Sequence, residues 1–180
     1  SVVDMEPVSF FADPLWFTPD HIRPTASGVA VVSLNLTKHF WPDIDWSFMG
    51  DGLLWNYHLH YLNWLQDTSE DTTSLFASYL TRGHGCGAAE DPYPSSLRII
   101  NVVKAVAGGR LPASRGLVRM LRKDSRRLLQ NIEYHLLGNH LLENGFGLLW
   151  GGLFLREPRL WNRGKIIVLS QLREQVLSDG

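Results

Sequence analysis

Residues 131–155 read NIEYHLLGNHLLENGFGLLWGGLFL, and this stretch carries most of the information about the fold. Its leucines recur at the three- and four-residue spacing of a helix with one apolar face. The same stretch sets Asn139 directly before His140. The pattern predicts a long helix over about 114–142 and a further helix over about 146–155.

Helical patterns dominate the chain on both sides of this stretch, from residue 50 onward. Further segments with apolar residues at helical spacing are 53–65, 72–82, 95–109 and 160 to the end of the chain. Short turns marked by Gly or Pro join the helices, and such turns favour antiparallel helix pairs. We therefore expect an all-α fold built from antiparallel helix pairs.

The first 50 residues differ from the remainder. Their prolines interrupt any long helix, and these are Pro7, Pro14, Pro19, Pro24 and Pro42. The run GVAVVSLNL at 28–36 is rich in β-branched residues, which favours a short strand. We expect residues 1–50 to form an irregular N-terminal segment and residues 51–180 to form the helical domain.

Composition limits the kinds of partner. Of the 180 residues, 44% are hydrophobic, which is typical of a globular fold with a sizeable core. The net charge of −1 provides no overall basic field for nucleic acid. No apolar run approaches the roughly 20 residues that span a bilayer. We expect neither a nucleic acid nor a membrane as partner.

The polar pair Asn139–His140 is unusual inside a leucine-rich helix. At about 100° per residue, Asn139 falls on the same arc as Leu128 and Ile132, and His140 lies one step further round. In one interpretation the amide of Asn139 is buried and bonds a neighbouring helix end or a water. In the other, Asn139 and His140 line a cavity and meet a ligand. The geometry of the helix leaves both open.

A metal site is a further interpretation of the histidines. His135 and His140 lie five residues apart, and His58 and His60 lie two apart. Five residues is an awkward separation for two ligands on one helix, and no HExxH pattern is present. The sequence therefore predicts no metal and no cofactor.

Three runs carry a resemblance to a known family. They are NYHLHYLNWL (56–65), DPYPSSLRIINVVK (91–104) and the run at 131–155. In this order they resemble the heparinase II/III family of polysaccharide lyases. The likeness is greatest to the front, helical domain of bacterial members related to heparinase III and the alginate lyases. It covers about residues 50–180.

The chain departs from the family pattern at several positions. Where similar proteins commonly read YNLHYFDWL, this chain has His58 and Asn63. Where they often carry Trp after RIIN, it has Val102. The departures concern the substrate more than the fold, for which the resemblance implies an incomplete α/α toroid.

The family activity is β-elimination in uronic-acid-containing, acidic polysaccharides, and the resemblance assigns roles to the polar pair. Asn139 matches the amide that neutralises the substrate carboxylate, because an NH2 group donates hydrogen bonds without titrating. His140 matches a histidine that assists proton abstraction from C5 or holds the carboxylate.

Six other residues are candidate substrate ligands on the same grounds. Arg98 could pair with a sugar carboxylate, and the alternative is a surface salt bridge. Asn101 lies one turn later and could join Arg98 or cap a neighbouring element. The other four candidates could line a substrate groove, and the alternative for each is packing in the core. They are His58, His60, Tyr61 and Trp64.

The resemblance also implies that part of the lyase is missing. In similar proteins the catalytic Tyr and a further His come from the remainder of the toroid and from a β-sandwich domain, both after residue 180. We therefore expect this chain to be the front of a lyase, inactive alone, with the C-terminal domain as its partner. A periplasmic or secreted location would follow the family habit. The alternative function is a non-catalytic helical module that binds carbohydrate or another protein.

Overall fold

The structure, a computed structural model, describes residues 20–67, 72–136 and 139–175. The helices in these ranges are α1 (Leu53–Tyr61), α2 (Thr73–Ser78), α3 (Pro92–Ala107), α4 (Arg115–Gln130), α5 (Asn139–Leu155) and α6 (Pro158–Gln175). Short 3-10 segments cover Asn63–Gln66 and Gly87–Glu90, and a π-helical turn covers Tyr79–Gly83. The prediction of a largely helical chain after residue 50 is confirmed.

An antiparallel sheet precedes the helices, so the prediction of an all-α fold is wrong. Its strands are β1 (His21–Thr25), β2 (Gly28–Ser33) and β3 (Leu36–Phe40), in the order β1-β2-β3. The predicted irregular segment 1–50 therefore contains regular structure from residue 21. Its residues 1–19 lie outside the described part of the chain.

The predicted strand over 28–36 is two strands joined by a tight turn. Leu34 and Asn35 have φ angles of 51° and 61°, the left-handed values of a two-residue hairpin turn. Asn tolerates this conformation well, whereas a leucine there is rare. The apolar run conceals the turn, because Leu34 continues the hydrophobic pattern.

The ends of two helices follow local signals. The hydroxyl of Ser114 accepts a hydrogen bond from the backbone N–H of Leu117 at 3.2 Å and caps α4, which begins close to the predicted residue 114. Helix α3 ends at Ala107 with Gly108 at its C-terminal cap, close to the end of the predicted segment 95–109. Helix α3 begins at Pro92, three residues before the predicted start, because proline is well suited to the first turn of a helix.

The predicted long helix over 114–142 is broken, and this is the main correction to the predicted fold. Helix α4 ends at Gln130, residues 131–136 form a turn-containing connector, and α5 begins at Asn139. The Asn131 side chain donates to the carbonyl of Arg127 at 2.8 Å and terminates α4. The backbone N–H of Glu133 donates to Oδ1 of the buried Asn144 at 2.9 Å, which fixes the connector.

Helix α5 packs against α3, α4 and α6. Its glycines allow close approach: a Cβ at Gly147 would lie 2.9 Å from Cα of Ser96 in α3, and one at Gly152 would lie 2.5 Å from the backbone N of Trp161 in α6. Gly152 adjoins the start of α6, whereas Gly145 adjoins Ile167 further along, so α5 and α6 run antiparallel. The described residues do not establish the curvature of a toroid.

The predicted helical end of the chain lies only partly within the described residues, since 176–180 are outside them. Among the helices that are described, none combines the length and the apolar character needed to cross a bilayer.

Candidate functional site

Four rings from three helices form a continuous row. Tyr61 of α1 lies between His58, at a centroid distance of 4.8 Å, and Tyr93 of α3, at 5.8 Å. Tyr93 in turn lies against His140 of α5, at 4.3 Å and an interplanar angle of 33°. We call His58, Tyr61, Tyr93 and His140 the ring row. It brings together three sequence-predicted site residues and one that was not predicted.

The ring row is buried at its middle and open at its ends. Tyr61 is 5% exposed and forms the floor, while His58 and Tyr93 are half-buried. The His140 side chain is 41% exposed. Asn139, the first residue of α5, is exposed beside it. At the start of α5, the partly exposed rings of Tyr93 and His140 and the exposed residue Asn139 therefore lie at one end of the row.

A carboxylate accompanies each histidine of the ring row. Oδ2 of the buried Asp20 lies 3.2 Å from Nδ1 of His58, and Asp20 also accepts a hydrogen bond of 2.7 Å from the Ser33 hydroxyl. At the other end, Oε1 of Glu133 lies 3.5 Å from Nδ1 of His140. Carboxylates in this position orient an imidazole and select its tautomer.

The surroundings keep Asp20 ionised. Burial alone would raise the pKa of Asp20, but the hydrogen bonds from His58 and Ser33 and the charge of His58 outweigh it, so the pKa lies below its ordinary value. The negative charge of Asp20 holds the His58 ring in place at one end of the ring row.

The tyrosines remain protonated at neutral pH. Burial raises the pKa of Tyr61, and the neighbouring Tyr93 and Tyr57 add to the effect. Burial also raises the pKa of Tyr93, followed by the charges of Glu143 and Glu133. Both phenols therefore remain hydrogen-bond donors, and neither is prepared to act as a base in this arrangement.

Asn139 does not lie in the core, which corrects the helical-wheel argument. The wheel assumed one continuous helix, and the break after Gln130 removes that assumption. The interpretation of Asn139 as a buried structural amide is wrong. The buried amide of this region belongs to Asn144, which is fully enclosed.

Arg98 lies in the core, 1% exposed, so both expectations for it, a sugar ligand and a surface salt bridge, are wrong. Its Nε donates to Oδ2 of Asp124 in α4 at 2.8 Å, and its Nη2 donates to the carbonyl of Ala89 and to the hydroxyl of Ser95. His84 completes the cluster at 2.8 Å from the second oxygen of Asp124. Arg98 therefore ties α3 to α4.

Three more predicted ligands are buried in supporting roles. His60 is fully enclosed, and its Nε2 donates to the carbonyl of Trp46 at 3.0 Å. Burial, with the nearby charge of Arg98, lowers the pKa of His60 to about 3, so the ring is neutral. Trp64 is 1% exposed. Asn101 donates to the carbonyl of Tyr61 at 2.9 Å and thereby holds the floor of the ring row.

Sequence reasoning missed four residues of this site, one of which is Asp20 beside His58. Tyr93 lies within the DPYPSS turn, and Glu133 and Asn144 lie within the stretch that prompted the functional hypothesis. The sequence did offer a signal for Glu133 and Asn144, since these two polar residues lie on either side of Asn139 and His140 in a leucine-rich run. Their pairing depends on the connector, which the helical interpretation excluded.

Within the described residues, no group of three or more His, Cys, Asp or Glu side chains is arranged to hold a metal ion. Comparison with known proteins yields no match to this chain among family models, curated proteins or solved structures.

Proposed function

We propose that this chain supplies one wall of the substrate groove of a polysaccharide lyase that cleaves uronic-acid-containing polysaccharide by β-elimination. The observation that carries the proposal is the exposed amide of Asn139 beside the half-exposed His140, at the open end of the ring row. The family resemblance of the three sequence runs provides the reaction class.

The reaction needs a donor that neutralises the sugar carboxylate while the C5 proton leaves. Asn139 supports this role because its amide donates without titrating and lies open to solvent. It also begins α5, a helix of 17 residues, and the first-turn N–H groups and the helix dipole favour an anion there. An enolate-like intermediate would gain from the same donors.

His140 is the proposed assistant in proton abstraction. Imidazole can accept a proton near neutral pH. The contact with Tyr93 fixes the ring plane, so the imidazole does not have to be ordered when a substrate binds.

The remainder of the ring row is proposed to bind sugar units. Tyrosine and histidine faces stack on the apolar faces of sugars, and phenol hydroxyls bond to sugar hydroxyls. Tyr93 and His58 are half-buried and reachable, and Tyr61 supports both. Arg98, His60, Trp64 and Asn101 act beneath them as structural supports. We extend the proposal to the fold: the helix pairs are the first part of an α/α toroid.

A second candidate is a carbohydrate-binding module without catalysis. The ring row itself favours it, because stacking on a sugar requires no base and no donor to a carboxylate. Both candidates predict binding of an oligosaccharide, and only the lyase predicts a new double bond in the product.

The test is an elimination assay with the protein expressed from its full reading frame. Alginate, heparan sulfate and a neutral glucan are the substrates, and the absorbance of the unsaturated uronate product is followed. We expect product from at least one acidic polymer and none from the neutral glucan. Binding of an acidic polymer without product would favour the carbohydrate-binding module. If the protein neither binds an acidic polymer nor forms product, both candidates are contradicted.

A further inference from the structure

The carboxylate beside His140 is itself held in a defined orientation. The Asn144 amide donates to Oε2 of Glu133 at 3.1 Å, and its oxygen accepts from the Glu133 backbone N–H at 2.9 Å. The same amide donates to the hydroxyl of Ser96 at 3.2 Å, so it is anchored to α3. With Oε2 taken by Asn144, the oxygen that Glu133 presents to His140 is Oε1.

The imidazole nitrogen that faces this oxygen is secluded. Nδ1 of His140 is buried and, among the described residues, makes no hydrogen bond of ordinary geometry, while Oε1 of Glu133 lies 3.5 Å away. The side chain as a whole is 41% exposed. The exposed surface therefore belongs to the rest of the ring, on the side away from Glu133.

We infer that Glu133 is a positioning residue that fixes the tautomer of His140, with the proton on Nδ1 and the lone pair of Nε2 directed away from Glu133. A carboxylate accepts a proton and cannot donate one when ionised, so it favours Nδ1–H over the other tautomer. The assignment of Nε2 as the atom that meets the substrate rests on the proposed function. The assignment of the tautomer rests only on the position of Glu133 beside Nδ1.

The inference gives each residue of the cluster a separate task. Asn144 orients Glu133, Glu133 orients His140, and His140 meets the ligand. The same order of dependence, a carboxylate behind an imidazole, prepares a base for proton transfer in other enzymes. Here it joins the connector to the first turn of α5.

The first experiment measures the tautomer of each histidine by long-range proton–nitrogen NMR correlation, at a pH where His140 is neutral. We expect His140 to be in the Nδ1–H form by about tenfold or more over the other tautomer. The exposed His135 of the connector provides an internal comparison. A predominantly Nε2–H signal for His140 overturns the inference without any variant being made.

The second experiment uses Glu133→Gln, for which the structure predicts a reversal. Asn144 donates to the oxygen at Oε2, so the glutamine carbonyl should occupy that position and its NH2 should face Nδ1. Nδ1 must then accept, and the proton moves to Nε2. Glu143→Gln is the matched control, since Glu143 lies on α5, one turn after His140, and should leave the tautomer unchanged. An unchanged tautomer in a folded Glu133→Gln protein would also overturn the inference.

Activity measurements separate this inference from the proposed function. If both hold, Glu133→Gln should lower kcat on the acidic polymer by at least about tenfold, because the lone pair of Nε2 is lost. The reversed tautomer in a protein whose wild type shows no elimination would support the positioning role and count against the lyase. Elimination that is undiminished while the tautomer reverses would show that His140 does not act through Nε2.

Discussion

Glu133 of the connector lies close to His140 in the first turn of α5, with Oε1 of Glu133 3.5 Å from Nδ1 of His140. Their positions differ by seven, so on a continuous helix they would share one face but lie about two turns, or roughly 10 Å, apart along the axis. The connector folds back and makes the contact. The break is therefore part of the site.

Asn139 should matter for turnover and little for stability. Because its amide is exposed, Asn139→Ala should change the melting temperature only slightly. If the amide neutralises the substrate carboxylate, turnover should fall by about 10²–10³. Asn139→Asp should be at least as damaging, since it sets a negative charge against the substrate. Melting temperature and turnover are measured on the same three proteins, and full activity in a well-folded Asn139→Asp protein would contradict the assigned role.

The buried ion pair of Arg98 and Asp124 should be costly to break. Arg98→Met leaves the Asp124 carboxylate in the core with His84 as its remaining side-chain hydrogen-bond partner, and such losses destabilise by about 3–5 kcal/mol. Urea unfolding measures the change in the free energy of unfolding. Arg127→Met is the matched control, because Arg127 pairs with Glu90 at the surface and should cost less than about 1 kcal/mol. Similar losses of unfolding free energy in Arg98→Met and Arg127→Met would contradict the larger contribution expected from the buried pair.

Stability should fall with decreasing pH because of His60. Burial lowers its pKa to about 3 in the folded protein, against about 6.5 when unfolded, so below pH 6.5 the unfolded chain binds a proton that the folded chain does not. His60 should therefore contribute roughly 1 kcal/mol of lost stability per pH unit between about pH 6 and pH 4. Above about pH 7.5, where neither the unfolded nor the folded chain protonates this ring, His60 contributes almost no slope.

The contribution of His60 can be isolated with His60→Gln, which keeps a donor for the carbonyl of Trp46 and removes the titrating ring. Its unfolding free energy should decline less steeply over the same pH range, whatever the cost of the substitution at pH 7. Urea unfolding at several pH values measures both slopes. Parallel curves for the two proteins would rule out His60 as the source.

Close packing of α5 should make Gly147 intolerant of a methyl group. In Gly147→Ala, the Cβ would lie 2.9 Å from Cα of Ser96 and 3.0 Å from Cδ2 of Leu128, and such overpacking costs about 1–3 kcal/mol. Gly116→Ala in α4 is the control, since the nearest atom is 3.5 Å away and alanine favours a helix by up to about 1 kcal/mol. Opposite signs in thermal melts are expected, and stabilisation of both variants would mean that α5 packs less closely.

Local signals in the sequence determined several elements of this protein. The Ser114 cap, the Gly108 stop and the helical character after residue 50 depend on side chains within a few residues of each boundary, so they could be predicted. Their position in a leucine-rich run also made Asn139 and His140 candidate site residues. The role proposed for them stays a prediction.

Tertiary structure alone decided where those side chains lie. Leucine periodicity continues through 131–142, so the pattern favours a helix. The connector forms instead because Asn144 accepts the Glu133 N–H and Asn131 caps α4. Arg98 is buried because Asp124, 26 residues away, neutralises it there. Helix propensity and capping depend on neighbours in sequence, so they could be predicted. The environment of a polar group depends on partners distant in sequence, so it could not.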